Sequence, residues 1–152
     1  MNKTPFLRRL RVIHLALTTG ILLTAFISYM YLKPGSGIAG GQSFYLMAGL
    51  ATAFFMAVLS LLLYKQKTRD AALEKTLADK LEAYQNGYII TLAMIEGPAL
   101  LNLVLYGVGG PDANFYVAIA LLLLLVGRYP GSTRIADELK LTMQEKELLE
   151  KV

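Results

Sequence analysis

Four long apolar blocks, Val12 to Leu32, Phe44 to Leu63, Tyr88 to Val108 and Phe115 to Val126, take up about half of the 152 residues. A helix needs about 20 consecutive apolar residues to cross a hydrocarbon layer, and the first three blocks reach that length without their flanks. The fourth reaches span length only if it runs over about 112–128, with Arg128 snorkelling at one end and Tyr116 and Tyr129 near the interfaces. At 55% hydrophobic and 17% charged residues, the chain has too little polar surface to enclose these blocks as a soluble core. The expected fold class is therefore all-α: an integral membrane four-helix bundle made of two transmembrane hairpins, with amphipathic cytoplasmic helices after each hairpin. It forms a single membrane domain over 1–152, with spans at about 12–32, 43–64, 88–108 and 112–128.

The charges are arranged as such a topology requires. Lys3, Arg8, Arg9 and Arg11 precede the first span, and Lys65, Lys67, Arg69, Lys75 and Lys80 separate the second from the third. Arg128, Arg134, Lys140, Lys146 and Lys151 follow the fourth, so 14 of the 15 basic residues fall on alternate sides of the spans. By the positive-inside rule both termini and the middle loop are expected in the cytoplasm. The net charge of +4 is then accounted for by insertion and anionic headgroups, and nucleic acid is not an expected partner. The first apolar run exceeds the length of a signal-peptide core and has no small-residue cleavage site after it, so it reads as an anchor. With no cysteine and one histidine, disulfides, thiol catalysis and a metal cluster are not expected, and no cofactor is.

Between the spans, Lys33-Pro34-Gly35 ends the first block, and a glycine-rich external connector follows to Gln42. In the middle loop Leu73, Leu77, Leu81 and Tyr84 recur at helical spacing among charged residues. They predict a cytoplasmic helix over about 70–85, capped by Asp70 and ended by Asn86-Gly87. The tail 132–152 reads as two short helices. Thr142 and Glu145 have the spacing of a capping box, and Leu148, Leu149 and Val152 form an apolar edge suited to the middle-loop helix, the membrane or a partner.

An offset of 77 pairs Ile13 with Ile90, Leu15 with Leu92, Ala16 with Ala93, Gly20 with Gly97 and Tyr29 with Tyr106. Small residues four apart, Ala16 with Gly20 and Ala93 with Gly97, let helix backbones approach closely, so the first and third spans are expected to pack along these faces. Glu96 is the one ionisable side chain well inside an expected span. An intramembrane carboxyl is a functional-site hypothesis by default, and it must be protonated, hydrogen-bonded or beside a hydrated cavity. Pro98 adds a kink and frees a carbonyl near Met94. Thr18 and Thr19 lie at the matching depth in the first span and are the first-choice donors to Glu96. His14, one turn nearer the cytoplasm, is placed to relay a proton. Asn102 and Ser28 read as positions that hold helices together.

Four spans in two hairpins with one membrane glutamate resemble, in architecture, the proteolipid rotor subunits of V-type ATPases. There the carboxylate lies on the second helix of a hairpin among dense glycine repeats, whereas Glu96 lies on a first helix. Small multidrug transporters are similar in having four short spans and a membrane glutamate, but theirs is in the first span, where this chain has Thr19 at the equivalent repeat position. The whole chain more closely resembles uncharacterised four-span bacterial inner-membrane proteins, which implies a bacterial inner-membrane location and no known activity. Two functional expectations stay open. One is a non-enzymatic accessory or assembly protein that self-associates or joins a membrane complex. The other is a proton-coupled transporter or ion-conducting subunit centred on Glu96. Neither a serine-lysine pair, nor paired aspartates, nor a metal motif occurs in the spans, so no catalytic residue is assigned.

Overall fold

The computed structural model describes residues 6–31 and 41–151. Residues 1–5, 32–40 and 152 lie outside the described part, and with them most of the external connector expected over 33–42. Six helices follow one another: α1 (Phe6–Tyr31), α2 (Gln42–Ala72), α3 (Leu77–Gly107), α4 (Asp112–Val126), α5 (Ser132–Glu138) and α6 (Met143–Lys151). The chain is all-helical among the described residues. Helices α1, α2 and α3 are each long and apolar enough to cross a membrane. Helix α4 has 15 residues, about 22 Å at 1.5 Å per residue, and is shorter than a bilayer core.

The charged middle segment departs from expectation. No separate helix over 70–85 forms. Helix α2 runs through Asp70 to Ala72, and α3 starts at Leu77 and continues without a break through Asn86-Gly87 to Gly107. The reason is phase: Leu81, Tyr84, Tyr88, Leu92, Ile95 and Ala99 fall three or four apart and are all buried, so one continuous face serves both the charged and the apolar stretch. Gly87 does not end the helix but lets α2 come close, since a methyl group there would collide with Lys67 Cβ. The chain reverses at 73–76 instead. There Thr76, not Asp70, caps α3: its hydroxyl accepts from the Asp79 N–H at 3.2 Å and donates to Asp79 Oδ2 at 2.6 Å. Helices α2 and α3, of 31 residues each, are about 46 Å long and so exceed a hydrocarbon core by several turns.

Helix α3 is the central element, packed against α2, α4 and α1. Its turn into α4 needs Gly109 at φ 99°, where the Gly110 N–H reaches back to the Leu105 carbonyl at 2.8 Å and the Gly109 N–H to that of Tyr106 at 3.2 Å. Large apolar side chains lie on the outside as well as in the core, and several polar ones lie inside. Phe44, Met47, Phe54, Phe55, Leu62, Leu23 and Phe26 face outward, while Ser28, Ser60, Thr91, Asn102 and Asn114 are buried. In a lipid solvent this places each polar group where another helix can bond it.

The C-terminal segment is part of the same core. Ile135, Leu139, Leu141 and Leu149 are buried in one cluster with Phe6, Leu10, Ala71 and Leu81. Of the three placements open to the tail, packing against the charged ends of the long helices is the one observed. The expected capping box is present: Glu145 Oε2 accepts from the Thr142 N–H at 2.8 Å, and the Glu145 N–H donates to Thr142 Oγ1 at 3.4 Å.

Candidate functional site

Two polar layers cross the helices. The first lies at the charged end. His14 of α1 is buried, with its Nδ1 2.8 Å from Tyr88 Oη of α3. The Tyr88 hydroxyl donates its one hydrogen to the Arg128 carbonyl at 2.9 Å. His14 must therefore be the donor in the first bond, which fixes the proton on Nδ1. Its ring also stacks on Tyr88 and meets Tyr129 edge-on, with centroids 6.3 and 5.6 Å apart.

Arg128 is 6% exposed. It does not snorkel away from α4. Its Nη1 donates to Ser60 Oγ of α2 at 2.9 Å, its guanidinium lies 5.4 Å over the Tyr64 ring, and its Nη2 is buried without a partner. Ser60 in turn donates to the Thr91 carbonyl of α3 at 3.0 Å. Just outside, Tyr64 and Tyr84 both donate to Glu138 Oε2 of α5, at 2.5 and 3.0 Å, while Arg134 Nε donates to Oε1 at 2.8 Å. Lys80 and Glu145, 2.9 Å apart, join α3 to α6. The layer thus ties together α1, α2, α3, the end of α4 and both C-terminal helices.

The second layer lies eleven residues further along α3, about 16 Å away. Asn102 Nδ2 donates to the carbonyls of Gly49 at 3.2 Å and Pro98 at 2.9 Å. Asn114 Nδ2 donates to the Tyr45 carbonyl at 3.2 Å and to Asn102 Oδ1 at 3.0 Å, leaving Asn114 Oδ1 buried and unpartnered. This carboxamide pair joins α2, α3 and α4. The close backbone approach is at Gly49, where a methyl group would collide with both carboxamides.

The residues expected around Glu96 are not gathered there. Thr18 donates to the His14 carbonyl of its own helix at 2.8 Å, Thr19 is exposed, and His14 is engaged with Tyr88. Glu96 is half-buried on the flank of α3 and makes no hydrogen bond or ion pair with any described residue. Pro98 is buried inside an unbroken α3. Ala16, Gly20, Ala93 and Gly97 all face outward, and nothing lies within 4 Å of a methyl group built at Gly20 or Gly97. Helix α1 does pack on α3, but through the stripe Leu10, His14, Ile21, Ala25 and Ser28 on its opposite side. The offset of 77 carries environment with it only at these small residues: Leu15 is 54% exposed while Leu92 is fully buried, and Tyr29 is exposed while Tyr106 is buried.

Sequence reasoning passed over Ser60, Thr91, Asn114 and the group of Tyr64, Tyr84 and Glu138. The available signal was a polar residue interrupting an apolar run. Among the described residues no cluster of three metal-ligating side chains occurs. Comparison with known protein families, with curated proteins and with solved structures finds no match.

Proposed function

We propose that this is a small integral membrane accessory or assembly protein without catalytic activity, which self-associates or joins a membrane complex. The observation that carries it is Glu96, a carboxyl on an apolar helix with no donor among the described residues, flanked by the outward-facing small residues Ala93 and Gly97. A carboxyl facing hydrocarbon is costly until a donor reaches it, and small residues on one helix face let another helix come near enough to supply one. Proton transfer within the chain has less support, because Thr18, Thr19 and His14 are bonded or turned elsewhere. The tail buries Ile135, Leu139, Leu141 and Leu149 against the charged ends of the long helices, so its apolar edge is largely used within the chain, and the partner surface proposed here is the membrane face around Glu96. In this reading α4 completes a four-helix bundle as a fourth span, the basic ends face the cytoplasm, and the chain resides in a bacterial inner membrane.

The test is Glu96→Gln and Glu96→Leu in lipid vesicles, with association followed by cross-linking at dilute protein-to-lipid ratios and proton flux measured alongside. Glutamine keeps a hydrogen-bonding group and should retain association, whereas leucine should weaken it by about tenfold, the equivalent of about 1.4 kcal/mol. Unchanged association in both variants, or a wild-type proton flux lost in Glu96→Gln, would overturn the assignment.

A further inference from the structure

The charged end holds a cavity of about 340 Å³ lined by Tyr64, Lys65, Thr68, Arg69, Ala72 and Leu73 of α2 and the turn after it, together with Glu138 and Lys140. Lys65, Thr68, Arg69 and Ala72 are spaced at helical i, i+3, i+4 and i+7 and so share one face of α2. Three exposed cationic residues, Lys65, Arg69 and Lys140, line this space, against one carboxylate. That carboxylate is already occupied: Glu138 takes two phenolic hydrogens on one oxygen and the Arg134 guanidinium on the other. Its charge is thereby compensated, and the cavity is left with a net positive wall. The side chains of Lys65, Thr68 and Lys140 make no hydrogen bond or ion pair with any described residue. Arg69 has only a contact of 3.9 Å to its neighbour Asp70.

The cavity's height along α2 restricts what can occupy it. Tyr64 directly follows the apolar run that ends at Leu63, so the cavity opens at the level where hydrocarbon gives way to headgroups. Along α2 its wall passes from the Tyr64 ring at the membrane end to Lys65, Thr68 and Arg69, and then to Ala72 about 12 Å beyond Tyr64, next to Leu73, which is 78% exposed. A phosphate with several donors around it and an apolar body attached fits both parts.

We propose that this cavity is a binding site for the phosphate of an anionic phospholipid headgroup, held by Lys65, Arg69 and Lys140 with the Thr68 hydroxyl as a further donor. The site lies between α2 and the α5–α6 turn, so an occupied headgroup bridges a membrane helix and the C-terminal segment. It is separate from Glu96 and independent of whether the protein has a partner.

The test uses the full chain in nanodiscs of phosphatidylcholine doped with phosphatidylglycerol, with bound lipid counted by native mass spectrometry after release into detergent. Wild type is compared with Lys65→Gln/Lys140→Gln and with Lys67→Gln/Lys75→Gln, which removes the same charge outside the cavity. Lys65→Arg/Lys140→Arg serves as the charge-conserving rescue. The cavity variant should lose at least fivefold in phosphatidylglycerol retention, with the control and rescue variants within twofold of wild type. Equal losses in the cavity and control variants would reduce the effect to diffuse surface charge and overturn the site, as would retention unchanged in all. Inorganic phosphate and glycerol phosphate are added as competitors. Displacement of the lipid by either at comparable concentration would assign the site to a soluble phosphate and overturn the lipid reading. Circular dichroism melts of all variants should coincide, since Lys65 and Lys140 are exposed.

Discussion

Ser60 shows how much one hydroxyl can carry. It accepts from Arg128 and donates to the Thr91 carbonyl, so Ser60→Ala leaves a second buried guanidinium nitrogen without a partner. The expected loss is about 1–3 kcal/mol in a reversible detergent unfolding titration. Replacing the cation together with its acceptor, in Ser60→Ala/Arg128→Met, should recover most of that loss, because a buried charge with an unmet nitrogen contributes little once apolar packing replaces it. Glycine gives a second contrast. Gly49→Ala should destabilise by about 1–3 kcal/mol through overpacking against Asn102 and Asn114, whereas Gly20→Ala should be neutral or stabilising by up to about 1 kcal/mol. If Gly20→Ala proved the more damaging of the two, the outward placement of that face would be wrong. Spacing alone does not separate the two glycines, since Gly49 lies four residues from Ala53 just as Gly20 does from Ala16, and it cannot say which pair faces inward.

At the scale of the element, α6 is the piece held most by charge. The Thr142 N–H, the Lys80 ammonium and the Thr142 hydroxyl hold the Glu145 carboxyl below its ordinary value. A carboxylate with a lowered folded-state value adds stability above its unfolded value, and that stability is lost as pH falls through the folded one. The docking of α6 should therefore weaken below about pH 4 and be unaffected by pH above about 5. Hydrogen exchange over 143–151, followed against pH, measures this, and Lys80→Gln should raise exchange there at neutral pH without altering exchange in α3 past Tyr88. A turn earlier, α5 ends in the same backbone motif as α3, but with Lys140 at φ 50° where α3 has Gly109. Lys140→Gly should thus add up to about 1 kcal/mol of stability in the same detergent titration. The capping box was legible because both of its partners lie within four residues. The continuity of α3 was not. An Asn-Gly pair stops many helices, and only the facing Lys67 reveals that the glycine serves packing.

At the scale of the molecule, the three long helices were legible because about 20 apolar residues in a row admit few alternatives in water. How they turn about their axes was not, because with every face apolar the periodicity that orients a soluble helix is nearly absent. The polar interruptions supply the orientation instead. Cysteines placed at Ser36 and Pro111 test the proposed arrangement: an impermeant maleimide added from outside should label both, and labelling only after permeabilisation would reverse it. The proposed orientation rests on charge placement alone, with 14 of the 15 basic residues on the side assigned to the cytoplasm. Function was less legible, because Glu96 looked like the centre of an internal cluster and instead stands apart from it.

The inward-turned Arg128 has a consequence for biogenesis. A 15-residue helix followed by a guanidinium has little reason to leave the translocon for lipid on its own, since it is short and its basic end finds no hydroxyl or aromatic ring there. Ser60 and Tyr64, which receive that guanidinium, are translated earlier, on α2. In the proposed four-span arrangement, helix α4 should therefore join only after α2 and α3 are in place, arriving as a guest of helices already inserted. A reporter fused after α4 should show efficient integration in the full chain and much less when α2 is replaced by an unrelated apolar span. The order of synthesis would then be written into the side chains that α4 needs on arrival.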